Sequence, residues 1–549
     1  MAIEDICKTE VSVQLRHSVR KIAAVLLGGS LVLGACSGGE AAEPAKGAPK
    51  VLTIAAPGVV SSLDSERYQG FISIDLLPNI AGTLVKFAKP KAGATRLQTP
   101  DQVEGELAES WKANADGTQL TFTLRDVQSP FGNKLTAEDV RWSIERMVKS
   151  EGVPIAKILM GVGGWNLENP VTVIDDKTLT INVAKPNAVS VSVLSTFFMT
   201  IYDSTEAKKH ATSEDPFAYK WLAENTATFG PYKVESFDPG KEVRLVANEN
   251  YHGAAPAIES VVVRAVADGA SRLQLVQSGQ VGATSALTFD QLAFLEGDDA
   301  VRVERVLYPN IDTLVPNLKV KPFDDPRVRQ ALNYAIDREA ILKSAYHAYG
   351  SVSTDFFHDD FGAPAAKKPL AHDPARAKQL LAEAGFGGGL DLELAYSSAN
   401  LGAQSEQTAV LLRAQLAEVG VNVTLKNMAS GADFDAAKRE GKLEAWLGTS
   451  TPLVPDPAYY LQVFYATGGL TNQQNYSSPQ VDDLSRQILQ THPGADRDAL
   501  LKAVNDFMVG DVPAVPLVDA QKFYVFNKDV TGFVPRSQGN INYYDLDVR

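Results

Sequence analysis

The sequence predicts an α/β protein built from two or three domains. Strand-like and helix-like runs alternate through residues 373–426, the pattern of helices packed on a sheet. The chain has 549 residues, more than one hydrophobic core usually organises. Its 45% apolar and 21% charged residues exclude both a disordered chain and a polytopic membrane protein.

The amino terminus reads as an address that contributes nothing to the fold. Arg16, Arg20 and Lys21 precede an uncharged, mostly apolar run of fourteen residues, Ile22 to Ala35. That run is too short to cross a bilayer, which takes roughly 20 residues. It ends Leu33-Gly34-Ala35-Cys36, similar to a bacterial lipobox, where small residues fit the signal peptidase cleft and the thiol accepts a diacylglycerol. Residues 1–35 are therefore expected to be a lipoprotein signal peptide, Cys36 the lipid anchor and 36–50 a flexible tether. An ordinary signal peptide with an incidental cysteine is the alternative. The ten residues before Val11 carry acids and no apolar run, which suggests a start at Val11 or later.

Cleavage before Cys36 leaves 514 residues, with 48 basic and 63 acidic side chains and a net charge near −15. Phosphate binding needs a concentrated basic surface, so a nucleic-acid partner is not expected. Cys7 lies in the removed segment, so the mature chain has no internal disulfide and depends on its cores.

Val51 to Ala55 is a β-rich run that ends in Pro57-Gly58, a strand leading into a loop. Leu107 to Trp111, Asp116-Gly117 and the alternating Leu120 to Leu124 read as a hairpin. Thr136-Ala137-Glu138-Asp139 has the form of a capping box, with Val140, Ile144 and Met147 on one side of the helix it starts. Asp325-Pro326 and Asp373-Pro374 each place an N-cap before a proline at the first helical position. After the first, Val328, Ala331, Leu332, Ala335 and Ile336 make an apolar stripe. After the second come a stop at Gly385, a strand Leu390 to Tyr396, a helix Ser405 to Val419, a stop at Gly420 and a strand Val421 to Lys426. No internal repeat, coiled-coil heptad or long low-complexity segment follows Pro49.

The catalytic inventory is thin. The mature chain carries no phosphate-binding loop, nucleophile elbow, zinc-protease helix or dinucleotide fingerprint. None of its six histidines stands at the i, i+4 spacing of a helical metal pair, and His358-Asp359-Asp360 reads as a solvated polar loop, so no metal or other cofactor is expected. A carboxylate pair for glycosidic cleavage remains open, because such pairs assemble in space.

Five stretches in order carry a resemblance. They are Leu107 to Arg146, Gly230-Pro231-Tyr232-Lys233, Asn248-Glu249-Asn250-Tyr251, Phe323 to Arg338, and Asn475-Tyr476-Ser477-Ser478-Pro479. Together they resemble the family 5 (peptide/nickel, cluster C) extracytoplasmic solute-binding proteins of ABC transporters. The one departure noted, Ser129 to Asn133 in place of a His-Asp-Gly turn, affects a surface turn. The resemblance implies an α/β fold of the periplasmic-binding-protein type II-like kind, two hinged lobes plus the extra third domain of cluster C. Lobe I would comprise 51–98, 229–312 and 514–549, domain II 99–228 and lobe III 313–513. It implies a monomeric receptor outside the cytoplasmic membrane, in the periplasm or held by its lipid, that closes on a ligand between lobes I and III. An ABC permease would read the closed form.

Peptide-binding members hold the ligand's α-ammonium with an Asp three residues after a lobe III tryptophan. Here Trp446-Leu447-Gly448-Thr449 puts threonine there, with Asp456 nearby as a substitute. Dipeptide receptors also grip a carboxylate with an arginine after a lobe III strand, where this chain reads Tyr396-Ser397-Ser398-Ala399-Asn400. A free dipeptide is thus disfavoured, leaving a longer peptide or a neutral, hydroxyl-rich solute such as an oligosaccharide. The expected ligand-binding residues are Gly58, Val59, Val60 and Ser61, then Ser397, Ser398 and Asn400, then Trp446, Thr449 and Asp456. The readings carried forward are a receptor without chemistry, a surface glycoside hydrolase, and a peptide-holding chaperone or signalling receptor.

Overall fold

Val51–Ala56 forms the strand expected after the tether and pairs in parallel with Ser260–Ala265 and Ala283–Ser285. The computed structural model describes residues 49–67, 70–91, 97–150, 155–353, 355–358, 361, 371–469 and 471–549. The expected signal peptide, Cys36 and the tether up to Ala48 lie outside them, as do Asp359 and Asp360.

Among the described residues an eleven-stranded sheet runs Val421–Asn427, Leu390–Tyr396, Ala445–Ser450, Val301–Pro316, Val515–Asn527, Ala283–Ser285, Val51–Ala56, Ser260–Ala265, Glu242–Ala247, Tyr232–Asp238, with Gly350–Val352 also on Val515–Asn527. Parallel pairing occurs on either side of Val301–Pro316 and Val515–Asn527, which are antiparallel to each other and carry the sheet between the two parallel sets, while the Tyr232–Asp238 end is antiparallel. In these crossover strands Val306 pairs with Lys522 and Asn310 with Ala520. Leu307, Tyr308 and Pro309 therefore stand opposite Gln521 alone. Proline has no amide to donate to a ladder, and such a bulge bends the strand that carries it. Residue 312, the expected end of a lobe I segment, falls inside the first crossover strand.

The elements marked by local signals form where the sequence places them. Asp116 accepts the Thr118 amide at 3.0 Å beside Gly117 at φ 72°, closing the hairpin of Ala108–Ala113 and Gln119–Leu124. These two strands belong to a separate four-stranded antiparallel sheet with Thr178–Asn182 and Val171–Asp175. In the helix Ala137–Lys149, the Asp139 carboxylate accepts the Thr136 amide at 2.8 Å, and Val140, Ile144 and Met147 are buried. The same helix sends Arg146 to Asp64, 2.5 Å away with both side chains fully buried, tying this sheet's domain to the segment after the first strand. Asp325 caps Pro326–Ala335 and Asp373 caps Pro374–Glu383 through the Arg327 and Arg376 amides, each at 2.9 Å. Gly385 at φ 94° and Gly420 at φ 88° end their helices in the left-handed conformation that glycine adopts without strain. Gln404–Glu418 then packs over the parallel strands through Ala409, Leu412 and Leu416. No helix among the described residues is long and apolar enough to cross a membrane.

Candidate functional site

In open α/β sheets ligands bind beyond the carboxyl ends of parallel strands. Two crevices lie there, each against a crossover strand. The first, about 400 Å³, opens at the end of Val51–Ala56 and takes in Gly58, Val59 and Val60 of the expected loop. Val59 and Val60 turn inward, and the Val60 carbonyl accepts the Gly240 amide at 3.0 Å. Ser61 is exposed and outside this lining. The crevice also holds Asp75, which is fully engaged: Lys522 Nζ lies 2.8 Å away, the Tyr524 hydroxyl donates to the same oxygen, and the Ser285 hydroxyl approaches the other at 3.5 Å. Burial, with Asp75 alongside, holds the Tyr524 hydroxyl far above the usual tyrosine range, so it remains a donor.

The second crevice, about 220 Å³, lies between the Gln404–Glu418 helix and the pair formed by Val301–Pro316 and Ala445–Ser450. Its polar groups are Asp312, Thr313, Tyr346, Gln404, Ser405 and Thr408. Asp312 stands in register with Thr449 on the neighbouring strand. The Tyr346 hydroxyl donates to Asp312 Oδ2 at 2.7 Å and the Asn310 amide donates to Oδ1 at 3.2 Å. Asn310 Oδ1 in turn accepts the Thr449 hydroxyl, and that of Thr451 at 2.7 Å. Burial pushes the Asp312 carboxyl up to about 6, against the downward pull of these hydrogen bonds.

Thr449 is thus beside the crevice, while other expected residues are committed elsewhere. Asp456 cannot serve as a substitute ammonium anchor. Its Oδ1 caps Pro457–Phe464 by accepting the Ala458 and Tyr459 amides at 2.9 and 3.0 Å, and its Oδ2 is held by Arg497 at 2.5 Å. Trp446 is core, packed with Ala395, Phe434 and Leu443 on the sheet face away from Leu447. Asn400 reaches away to Asp435 at 3.0 Å. Ser397 is wholly buried at the start of the short helix Ser398–Leu401, and the Ser398 hydroxyl lies 3.5 Å from that of Ser405. The crevice uses the next residues along, Leu401, Gln404 and Ser405. His358 is buried, contrary to the expected solvated loop. Among the described residues no group of three or more His, Cys, Asp or Glu gathers as a metal site. Asn310, Asp312 and Tyr346 were missed by sequence reasoning, although an acid inside the apolar run Ile311 to Val315 was a visible signal.

A sheet carried between two sets of parallel strands by a bulged crossover pair, with crevices beside it, defines a hinged binding protein. The chain belongs to the bacterial extracellular solute-binding proteins, family 5: residues 102–472 match the family described as "Bacterial extracellular solute-binding proteins, family 5 Middle". It is 26% identical over 471 residues to the glutathione-binding protein GsiB of Shigella dysenteriae, covering 83% of this chain and 88% of that one. Its fold is that of the periplasmic binding protein DppA from Helicobacter pylori, solved with the peptide STSA: TM-score 0.79 and 23% identity, covering 91% of this chain and 98% of that one. NikA from Staphylococcus aureus, solved with Ni(L-His)2, has the same fold, at TM-score 0.74 and 20% identity, covering 91% of this chain and all of that one. The chain is accordingly an extracytoplasmic solute-binding receptor of the type II periplasmic-binding fold, as the five stretches imply, and its relatives lend no support to a glycoside hydrolase.

Proposed function

We propose that this receptor captures a small organic solute, a peptide or another polar molecule, beside its crossover strands and delivers it unmodified to the permease of an ABC importer. The observation that supports this reading is the bulge at Leu307 to Pro309, which interrupts pairing in the strands that join the two parallel sets of the sheet; a bend there would serve closure of one lobe on the other. The relatives agree in kind, since one is named for glutathione and another was solved with a peptide. Chemistry is not part of the proposal: Asp75, the acid of the first crevice, is held by Lys522. Cys36 anchors the mature monomer by its lipid, with 36–50 as the tether.

Small-angle scattering on protein stripped of its solute and then resupplied with it tests the hinge, and a smaller radius of gyration on resupply is expected. Conversion of that solute by purified protein would sink the receptor reading. Metabolic labelling with palmitate tests the anchor; label that persists in Cys36→Ser would place the lipid elsewhere.

A further inference from the structure

Asp312 is a buried carboxylate with no counter-ion among the described residues. It is 8% exposed, and its neighbours are neutral: the Tyr346 hydroxyl, the Asn310 amide and the Thr449 hydroxyl. No cation among the described residues pairs with it, and Lys522 is committed to Asp75 at 2.8 Å. The surroundings are nevertheless arranged for an acceptor. Because Asn310 Oδ1 takes the Thr449 and Thr451 hydroxyls, only the amide hydrogens of Asn310 remain to face Asp312. A carboxylate offers about four lone-pair sites, and the donors that reach it, the Tyr346 hydroxyl and the Asn310 amide with Thr449 alongside, are all neutral. Taking an ion out of water without a partner is costly, and folds keep such groups where function uses them. Here the group borders a crevice whose walls mix the polar Gln404, Ser405 and Thr408 with the apolar Leu401, Leu447 and Leu517.

We propose that Asp312 is the counter-charge for a cationic group of the solute, an ammonium or guanidinium, seated in the crevice between the first crossover strand and the Gln404–Glu418 helix. The proposal rests on the receptor reading and narrows it. The solute's charge is met from the hinge strand itself, so the strand that bends on closure also carries the specificity. Tyr346 and Asn310 position the carboxylate, and Thr449 is the adjacent position in register.

The test is mass spectrometry of solute released from protein purified without refolding, comparing wild type, Asp312→Asn and the double variant Asp312→Asn/Thr449→Asp. Calorimetry with spermidine, arginine, tri-alanine and N-acetylated tri-alanine accompanies it. The expected result is a released solute with a cationic group, binding to Asp312→Asn at least about thirty-fold weaker, and recovery in the double variant, which returns a carboxylate one strand over. A solute without a cationic group, or one retained equally by Asp312→Asn, overturns the proposal and leaves the receptor intact. Should Asp312→Asn fail to fold, the charge of the wild-type solute decides. Wild type that carries no solute and binds only the acetylated peptide overturns the cation site alone; wild type that binds nothing overturns the receptor reading as well.

Discussion

Replacing Asp312 by asparagine keeps the shape of the side chain and removes its charge. The carboxyl is raised from 3.8 to about 6 by burial, so the folded protein holds this proton more tightly than the unfolded chain does. The contribution is fully present below 3.8 and is lost as pH rises through about 6. A shift of about two units at 1.36 kcal/mol each means that the ionised group costs the empty receptor about 3 kcal/mol at pH 7.5. About half of that loss has already occurred at pH 5, leaving about 1.5 kcal/mol to develop between pH 5 and 7.5. Tyr346 is the titratable group that touches Asp312, and burial with Asp312 beside it holds its hydroxyl protonated throughout this range. The solute-free Asp312→Asn variant should therefore be more stable than wild type at pH 7.5, by up to about 3 kcal/mol, with the advantage shrinking toward pH 5. Urea denaturation of both proteins at the two pH values measures this, provided the m-values agree. A variant no more stable at pH 7.5, or a difference equal at both pH values, would refute the claim that the carboxylate is buried uncompensated.

Other substitutions separate structural groups from binding groups. Asp64→Ala strands the buried Arg146 and should cost about 3–5 kcal/mol in the same denaturation assay. Asp456→Ala removes a helix cap together with the partner of Arg497, with a loss of similar size. Calorimetry of its folded fraction should give wild-type affinity for the natural solute, and a large loss of affinity would restore Asp456 to the site. Gly539→Ala places a Cβ 2.2 Å from Tyr308 Cδ2 at φ 72°, beside the crossover bulge. It should destabilise by about 1 kcal/mol or more, read from the denaturation midpoint.

The Asp-Pro starts at 325 and 373, the Asp116-Gly117 turn and the stops at Gly385 and Gly420 were legible because each is decided by neighbours a few residues away. The order of five short stretches was enough to identify the family, and with it the hinged fold. The binding groups were less legible, because polar side chains are sorted by partners distant in sequence. Asp456 looked available until Arg497, 41 residues on, took its second oxygen. Trp446 and Thr449 stand three positions apart on one strand, and the period of two sends the first into a core and the second toward the crevice. Asp312 became a candidate only when strand register set it against Thr449, 137 residues away, and packing brought it no cation from among the described residues. Element ends and chain order are written locally in the residues; which carboxylate meets the solute depends on pairing across the sheet, where burial and register decide which charges are neutralised within the fold and which await a ligand.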